Sequence, residues 1–204
     1  MRPEILKIKN INEDFCKKIM DYARNIIPKK DSLEKRLNTF KEIDSTIKQH
    51  NECWKVYLFG SFAQSISTVK SDIDLAIQCF RYFGQKYTQK EEKICLKIIY
   101  QLLKYKKLAD DLLLLDKAEV PVVKGIWKNT GIKFVISANR ENGPKAPYII
   151  RKIIKEYKIL RPTILILKVV LQQKNLNSTK TGGMSSFLLF HLVYFFYIIY
   201  LQRI

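Results

Sequence analysis

The stretch that most constrains this chain runs W-K-V-Y-L-F from Trp54, breaks at Gly60-Ser61, and resumes as D-I-D-L-A-I at Asp72. The first run is β-branched and aromatic and stops on a glycine, as a strand feeding a tight turn does. The second alternates, so Asp72 and Asp74 share one strand face while Ile73 and Leu75 take the other. Two carboxylates about 7 Å apart on one strand repel unless a cation lies between them, and a divalent metal holding nucleotide phosphates is the natural resident. The Gly60-Ser61 break adds a hydroxyl and free backbone N–H groups at the start of a short helix, where a phosphate can sit. A lone D-x-D also fits two solvated acids on an edge strand. The Gly-Ser break at the end of an apolar strand is what favours the chemical reading.

The 204 residues hold 37 Lys and Arg against 19 Asp and Glu, a formal charge of +18, so a polyanionic partner is expected. With 47% apolar residues the chain has room for a proper core and is neither collagenous nor disordered. Cys16, Cys53, Cys79 and Cys95 lie far apart with no C-x-x-C pair, which argues against structural zinc and a disulfide framework and for an intracellular, reducing compartment. Charged residues from Arg2 onward argue against a secretory signal. The longest apolar run, Phe187 to Leu201, falls short of the roughly 20 residues that span a bilayer, so no membrane is expected and the run reads as a buried helix, with His191 in the core.

Periodicity places a helix from Asn12 to Pro28 and a second opened by an Asp31/Glu34 capping box, with Leu33, Leu37, Phe40, Ile43 and Ile47 as one stripe. Thr88 with Glu91 opens a third, whose inner side holds Cys95, Ile98, Leu102 and Leu103. Strands are expected over Glu119–Lys124 and Ile132–Ser137, joined by a turn at 128–131. Helices follow at about 148–158, 161–174 and 184–201 in the most basic part of the chain.

The Gly60-Ser61 and Asp72-Asp74 pattern resembles the signature of the DNA polymerase beta-like nucleotidyltransferases. The segments K-A-E-V-P-V-V-K from Lys117, Thr130-Gly131-Ile132 with Ser137, Asn142-Gly143, N-L-N-S from Asn175 and T-G-G-M-S-S-F from Thr181 are similar to those of eukaryotic poly(A) polymerases of the RNA-surveillance (TRAMP) type. The resemblance implies an α+β fold. A small mixed-sheet, palm-like nucleotidyltransferase lobe would cover residues 31–137, and an all-helical PAP-associated lobe would cover 1–30 and 138–204. It implies transfer of AMP from ATP to an RNA 3′ end with two metal ions, Mg²⁺ or Mn²⁺, held by Asp72 and Asp74. Gly60 and Ser61 would bind the incoming phosphates. Lys168 matches a lysine that contacts the triphosphate, and Ser186-Phe187 a pair whose ring stacks on the base; from periodicity alone Phe187 is equally a core aromatic. RNA, a nucleoside triphosphate and a protein partner on the helical lobe are the implied partners, and nuclear residence, otherwise cytoplasmic, the implied location.

Two departures stand out. The family pattern asks for a third carboxylate on the strand after the Val-Pro segment, and the aligned residue here is Val135, on the face opposite Ile132, Phe134 and Ile136. The resemblance also implies a helical lobe that continues past Ile204, so the apolar helix from Phe187 is expected to lack part of its packing surface within this sequence. An active poly(A)-polymerase-like enzyme and a degenerate one that binds nucleotide and RNA as a scaffold subunit are therefore both expected readings, with generic basic-surface association with RNA as a third.

Overall fold

The computed structural model describes residues 13–79, 88–138, 145–178 and 182–201. A five-stranded mixed sheet lies at the centre: β1 (Lys55–Phe59), β2 (Ile73–Gln78), β3 (Ala109–Leu115), β4 (Val122–Trp127) and β5 (Ile132–Ala138), in the order β1-β2-β5-β4-β3. Only the β2–β5 pair is parallel; the other three are antiparallel. This is the mixed-sheet α+β arrangement that the resemblance implies.

One face of the sheet carries Ile73, Leu75, Ile77, Phe134 and Ile136 and is sealed by α2 (Lys30–His50) and α4 (Gln89–Tyr105), which contribute Ile43, Ile47, Leu96, Ile99 and Leu103. The alternation that buries these residues turns Asp74 and Val135 to the opposite face. The Thr88–Glu91 capping box that opens α4 is complete, with both reciprocal hydrogen bonds. The expected box on α2 is not: that helix starts a residue earlier, at Lys30, after an extended Lys29 with no side-chain cap, and Asp31 falls within the first turn. Its inward stripe runs Arg36, Thr39, Ile43, Ile47, whereas Leu33 and Leu37 are exposed because Arg36 takes the inward position there.

Two strand expectations need correction. β4 lies about three residues beyond the expected span, since Pro121 has no N–H for a ladder and the buried Trp127 extends the strand, donating its indole N–H to Glu42 at 2.5 Å. β3 was not expected at all: Asp110 and Asp111 open it, a register shift between Asp110 and Leu113 breaks the alternation, and Asp111 has φ +48°.

The remaining helices are α1 (Glu13–Ile26), the four-residue α3 (Gly60–Ala63), α5 (Lys145–Glu156), α6 (Leu160–Gln173) and α7 (Ser186–Phe196), the last continuing as a π-helical turn at Tyr197–Leu201. Ile66, Ile150, Ile154, Ile164, Leu189 and Phe190 form a second apolar cluster among α5, α6 and α7. Helix α5 begins at Lys145, ahead of expectation, because Pro147 is tolerated in a first turn. No helix among the described residues is long and apolar enough to cross a membrane.

Candidate active site

Strand β1 ends at Phe59, which pairs with Asp74 across the antiparallel ladder. Gly60 follows with φ +62°, and a Cβ there would stand 1.9 Å from Asp74 Oδ2. Glycine is thus required twice over, by the left-handed backbone and by the carboxylate that occupies the space. The Ser61 backbone amide favours the ionised form of the Asp74 carboxyl. The Ser61 hydroxyl, on a buried residue, still lines the cleft.

Asp74 sits mid-sheet, and Asp72 ends the loop that leads into β2. That loop is held by three cationic side chains. Arg36 donates to the carbonyl of Ser71 and, at 3.0 Å, to that of Val69. Lys168 Nζ donates to the Ile66 carbonyl at 2.8 Å, and Arg161 Nε to that of Ser65 at 2.9 Å. Sequence reading missed Arg36 and Arg161; the signal for Arg36 was an arginine at position 36 on a stripe continuing through Phe40, Ile43 and Ile47.

Burial pushes the Asp74 carboxyl up to about 6, the Asp72 carboxylate adds to the rise, and the Lys168 ammonium and Ser61 amide oppose it. Lys168 is pushed down to about 8 by burial, against the pull of Asp74. Desolvation also lowers Arg36, with Asp72 opposing. The Asp72 carboxylate adds to the cost of ionising Asp74, and a bound divalent cation fits as the counter-charge of the two acids. Among the described residues no group of three metal-ligating side chains exists, so no further acid joins the pair. Glu119 lines a separate pocket beside α4, and Glu141 lies outside the described residues.

A cleft of about 230 Å³ opens above this pair, and Ser61, Asp72, Asp74, Lys168 and Ser186 all line it, together with Thr68, Lys70, Gln172 and Asn177. Ser61 from α3, Asp72 and Asp74 from the start of β2, Lys168 from α6 and Ser186 from α7 thus meet in one place. The N-L-N-S and T-G-G-M-S-S-F segments also meet: Met184 N–H donates to the Leu176 carbonyl at 2.7 Å, and a Cβ on Gly183 would stand 2.4 Å from that same oxygen. Thr181, Asn142 and Gly143 lie outside the described residues. Phe187 does not line the cleft: it is 46% exposed, with its ring 4.2 Å from that of His191. Nor is it a core aromatic. His191 is exposed rather than buried, its Nδ1 2.7 Å from the Phe187 carbonyl one turn earlier. Val135 borders a different groove, on the open face of the sheet.

Residues 15–155 match the family described as poly(A) RNA polymerase, mitochondrial-like, central palm domain. The chain is 30% identical over 190 residues to poly(A) RNA polymerase protein 2 of Saccharomyces cerevisiae, covering 93% of this chain and 32% of that protein. It is 31% identical over 196 residues to poly(A) RNA polymerase gld-4 of Caenorhabditis elegans, covering 94% and 22%. The polymerase core of TRAMP, an RNA surveillance complex, superposes with a TM-score of 0.75 at 30% identity, over 90% of this chain and 55% of that one. The chain thus spans about a third or less of these curated relatives. The family match covers more than two thirds of the chain and the superposition covers 90% of it, and the chain belongs to the poly(A) RNA polymerase, mitochondrial-like, central palm domain family.

Proposed function

We propose that this chain is the nucleotide-binding and palm portion of a template-independent RNA nucleotidyltransferase that moves AMP from ATP to an RNA 3′ hydroxyl. The observation that carries the reading is the single cleft uniting Ser61, Asp72, Asp74 and Lys168. Residues 31–137 form the transferase-type unit, and 1–30 with 138–204 the helical one. Asp72 and Asp74 would hold Mg²⁺ or Mn²⁺, which supplies charge neutralisation for the phosphates and the leaving pyrophosphate. The Ser61 hydroxyl donates to a phosphate oxygen, and the Lys168 ammonium neutralises the triphosphate from α6. Gly60 leaves Asp74 room to face the cleft, and the Arg36 clamp fixes the backbone beside Asp72. Ser186 borders the nucleoside end; Phe187 stacks on a base only after its ring leaves His191. The RNA 3′ hydroxyl gives its proton to solvent water, the new bond joins the 3′ oxygen to the α-phosphorus, the bond from that phosphorus to the bridging oxygen breaks, and pyrophosphate departs.

Val135 favours a second reading in the same cleft. A carboxylate at that position would accept the 3′ hydroxyl proton, and a valine cannot. With no third acid among the described residues, the chain binds the nucleotide and holds RNA with little turnover, as a scaffold subunit. The exposed apolar side chains of α7, Leu192, Phe195 and Phe196 among them, support a protein partner on the helical side. Calorimetry with Mg-ATP and a labelled-primer extension assay test both readings. Binding with extension supports the transferase, binding without extension the scaffold, and no metal-dependent binding overturns both.

A further inference from the structure

The open face of the sheet carries a second groove, separate from the nucleotide cleft except at Asp72, and no helix lines it. On β5, Val135 pairs with Lys124 of β4, and Lys133 stands two residues before Val135 on the same face. The two lysines are diagonal neighbours on adjacent strands, their stems about 7 to 8 Å apart. Both are exposed and neither makes an ion pair among the described residues, unlike Lys97 with Asp116 and Lys128 with Asp110. The groove's carboxylates stand at its ends, Asp72 beside the nucleotide cleft and Asp111 on the edge strand, while its middle is the side chain of Val135. A carboxylate at 135 would neutralise this middle; a valine leaves two ammonium groups over an apolar floor.

We propose that Lys124 and Lys133 form a phosphodiester-binding site that holds the backbone of single-stranded RNA over Val135. The site rests on the function proposed above and names where its RNA lies. The valine then has a binding consequence of its own: the position that lacks a metal ligand becomes the cationic centre of the RNA track. Contacts of this kind release counterions, so each phosphate held contributes about 0.7 to the slope of log affinity against log salt for a single strand.

The test is fluorescence anisotropy of a labelled oligoadenylate titrated with the purified chain at several salt concentrations, with thermal melts of every variant alongside. Lys124→Ala/Lys133→Ala is expected to weaken binding several-fold and to flatten the salt slope by about 1.4. Lys90→Ala/Lys104→Ala, which removes the same charge from exposed positions of α4 on the covered side of the sheet, leaves the slope within half of that loss. Val135→Asp, which places an acid between the lysines, also weakens RNA binding. Equal losses in the two lysine pairs, or a Val135→Asp chain that binds RNA as tightly as the unaltered one, overturn the site in favour of diffuse charge. Mg-ATP calorimetry on the unaltered chain separates this failure from that of the nucleotide reading, which can stand while the groove falls.

Discussion

Asp74 and Val135 are register partners on the parallel strands β2 and β5, so the carboxylate that faces the cleft has an isopropyl group as its lateral neighbour. Neighbouring strands lie about 4.8 Å apart, close enough for a third acid at 135 to share a cation with Asp74. Val135→Asp is therefore expected to tighten Mg²⁺ or Mn²⁺ binding and to raise the primer-extension rate by at least 100-fold, about 3 kcal/mol at roughly 1.4 kcal/mol per tenfold. Extension at the same rate by the natural chain would remove the scaffold reading.

Gly60 is where the backbone and the Asp74 carboxylate constrain each other. At φ +62° an alanine costs about 1 to 2 kcal/mol from backbone strain, and its Cβ would fall 1.9 Å from Asp74 Oδ2, so the carboxylate must move. Gly60→Ala is expected to lower the urea midpoint and abolish calorimetric Mg-ATP binding. Retention of full Mg-ATP affinity would show that Asp74 does not need this position.

Asp74 and Lys168, both half-buried, give the apo fold a defined pH response. Asp74 is raised to about 6 in the folded state, so between pH 4 and 6, approximately, the native chain keeps a proton that the unfolded chain has released. Stability therefore falls as pH rises through that window, by on the order of 3 kcal/mol. Lys168, lowered to about 8, has the opposite slope: from there to its ordinary value near 10.5 the unfolded chain holds the extra proton, and stability rises with pH. Urea midpoints across pH for Asp74→Asn and Lys168→Met should each lose one of these slopes. An Asp74→Asn chain with the same acid-side slope as the parent would assign that slope to other carboxylates.

The parts of the fold that were legible in the sequence are those where one force sets the pattern. The D-I-D-L alternation, the Gly60 break and the Thr88–Glu91 box each follow from a local rule, and each stands where that rule puts it. What was hidden depends on distant partners. The edge strand β3 is held by one ladder and opens with two acids around a register shift, which hides its period of two. Arg36 reads as a solvated charge until the 65–72 loop, 33 and 35 residues away at its contact points, comes back to present two carbonyls. His191 and Phe187 were read from an apolar composition that promises burial, and α7 leaves both exposed.

Arg36 itself carries a prediction. It is 3% exposed, it spans the Val69 and Ser71 carbonyls, and its guanidinium lies 5.9 Å from the Phe62 ring centre. Arg36→Met leaves two carbonyls without their donor, each costing about 1 to 3 kcal/mol where buried, so a loss of about 3 kcal/mol is expected. Arg36→Lys reaches one carbonyl at a time and should recover stability more than Mg-ATP affinity, because the backbone at Ser71 sets the Asp72 carboxylate. Equal recovery of both in denaturation and calorimetry would make the arginine a purely structural clamp.

Helix α7 leaves Phe195 and Phe196 64% and 55% exposed, with Tyr200 at 59% in the turn that follows. Side chains this open contribute little to the fold, so Phe195→Glu/Phe196→Glu should change the urea midpoint by no more than about 0.5 kcal/mol for each site. The same change removes the largest apolar contacts available to a neighbour. Sedimentation velocity should therefore show the parent associating with rising concentration and the double variant staying monomeric. A double variant that unfolds several kcal/mol more easily would mean that these rings pack inward, and that the helix face is part of the core and not a surface for a partner.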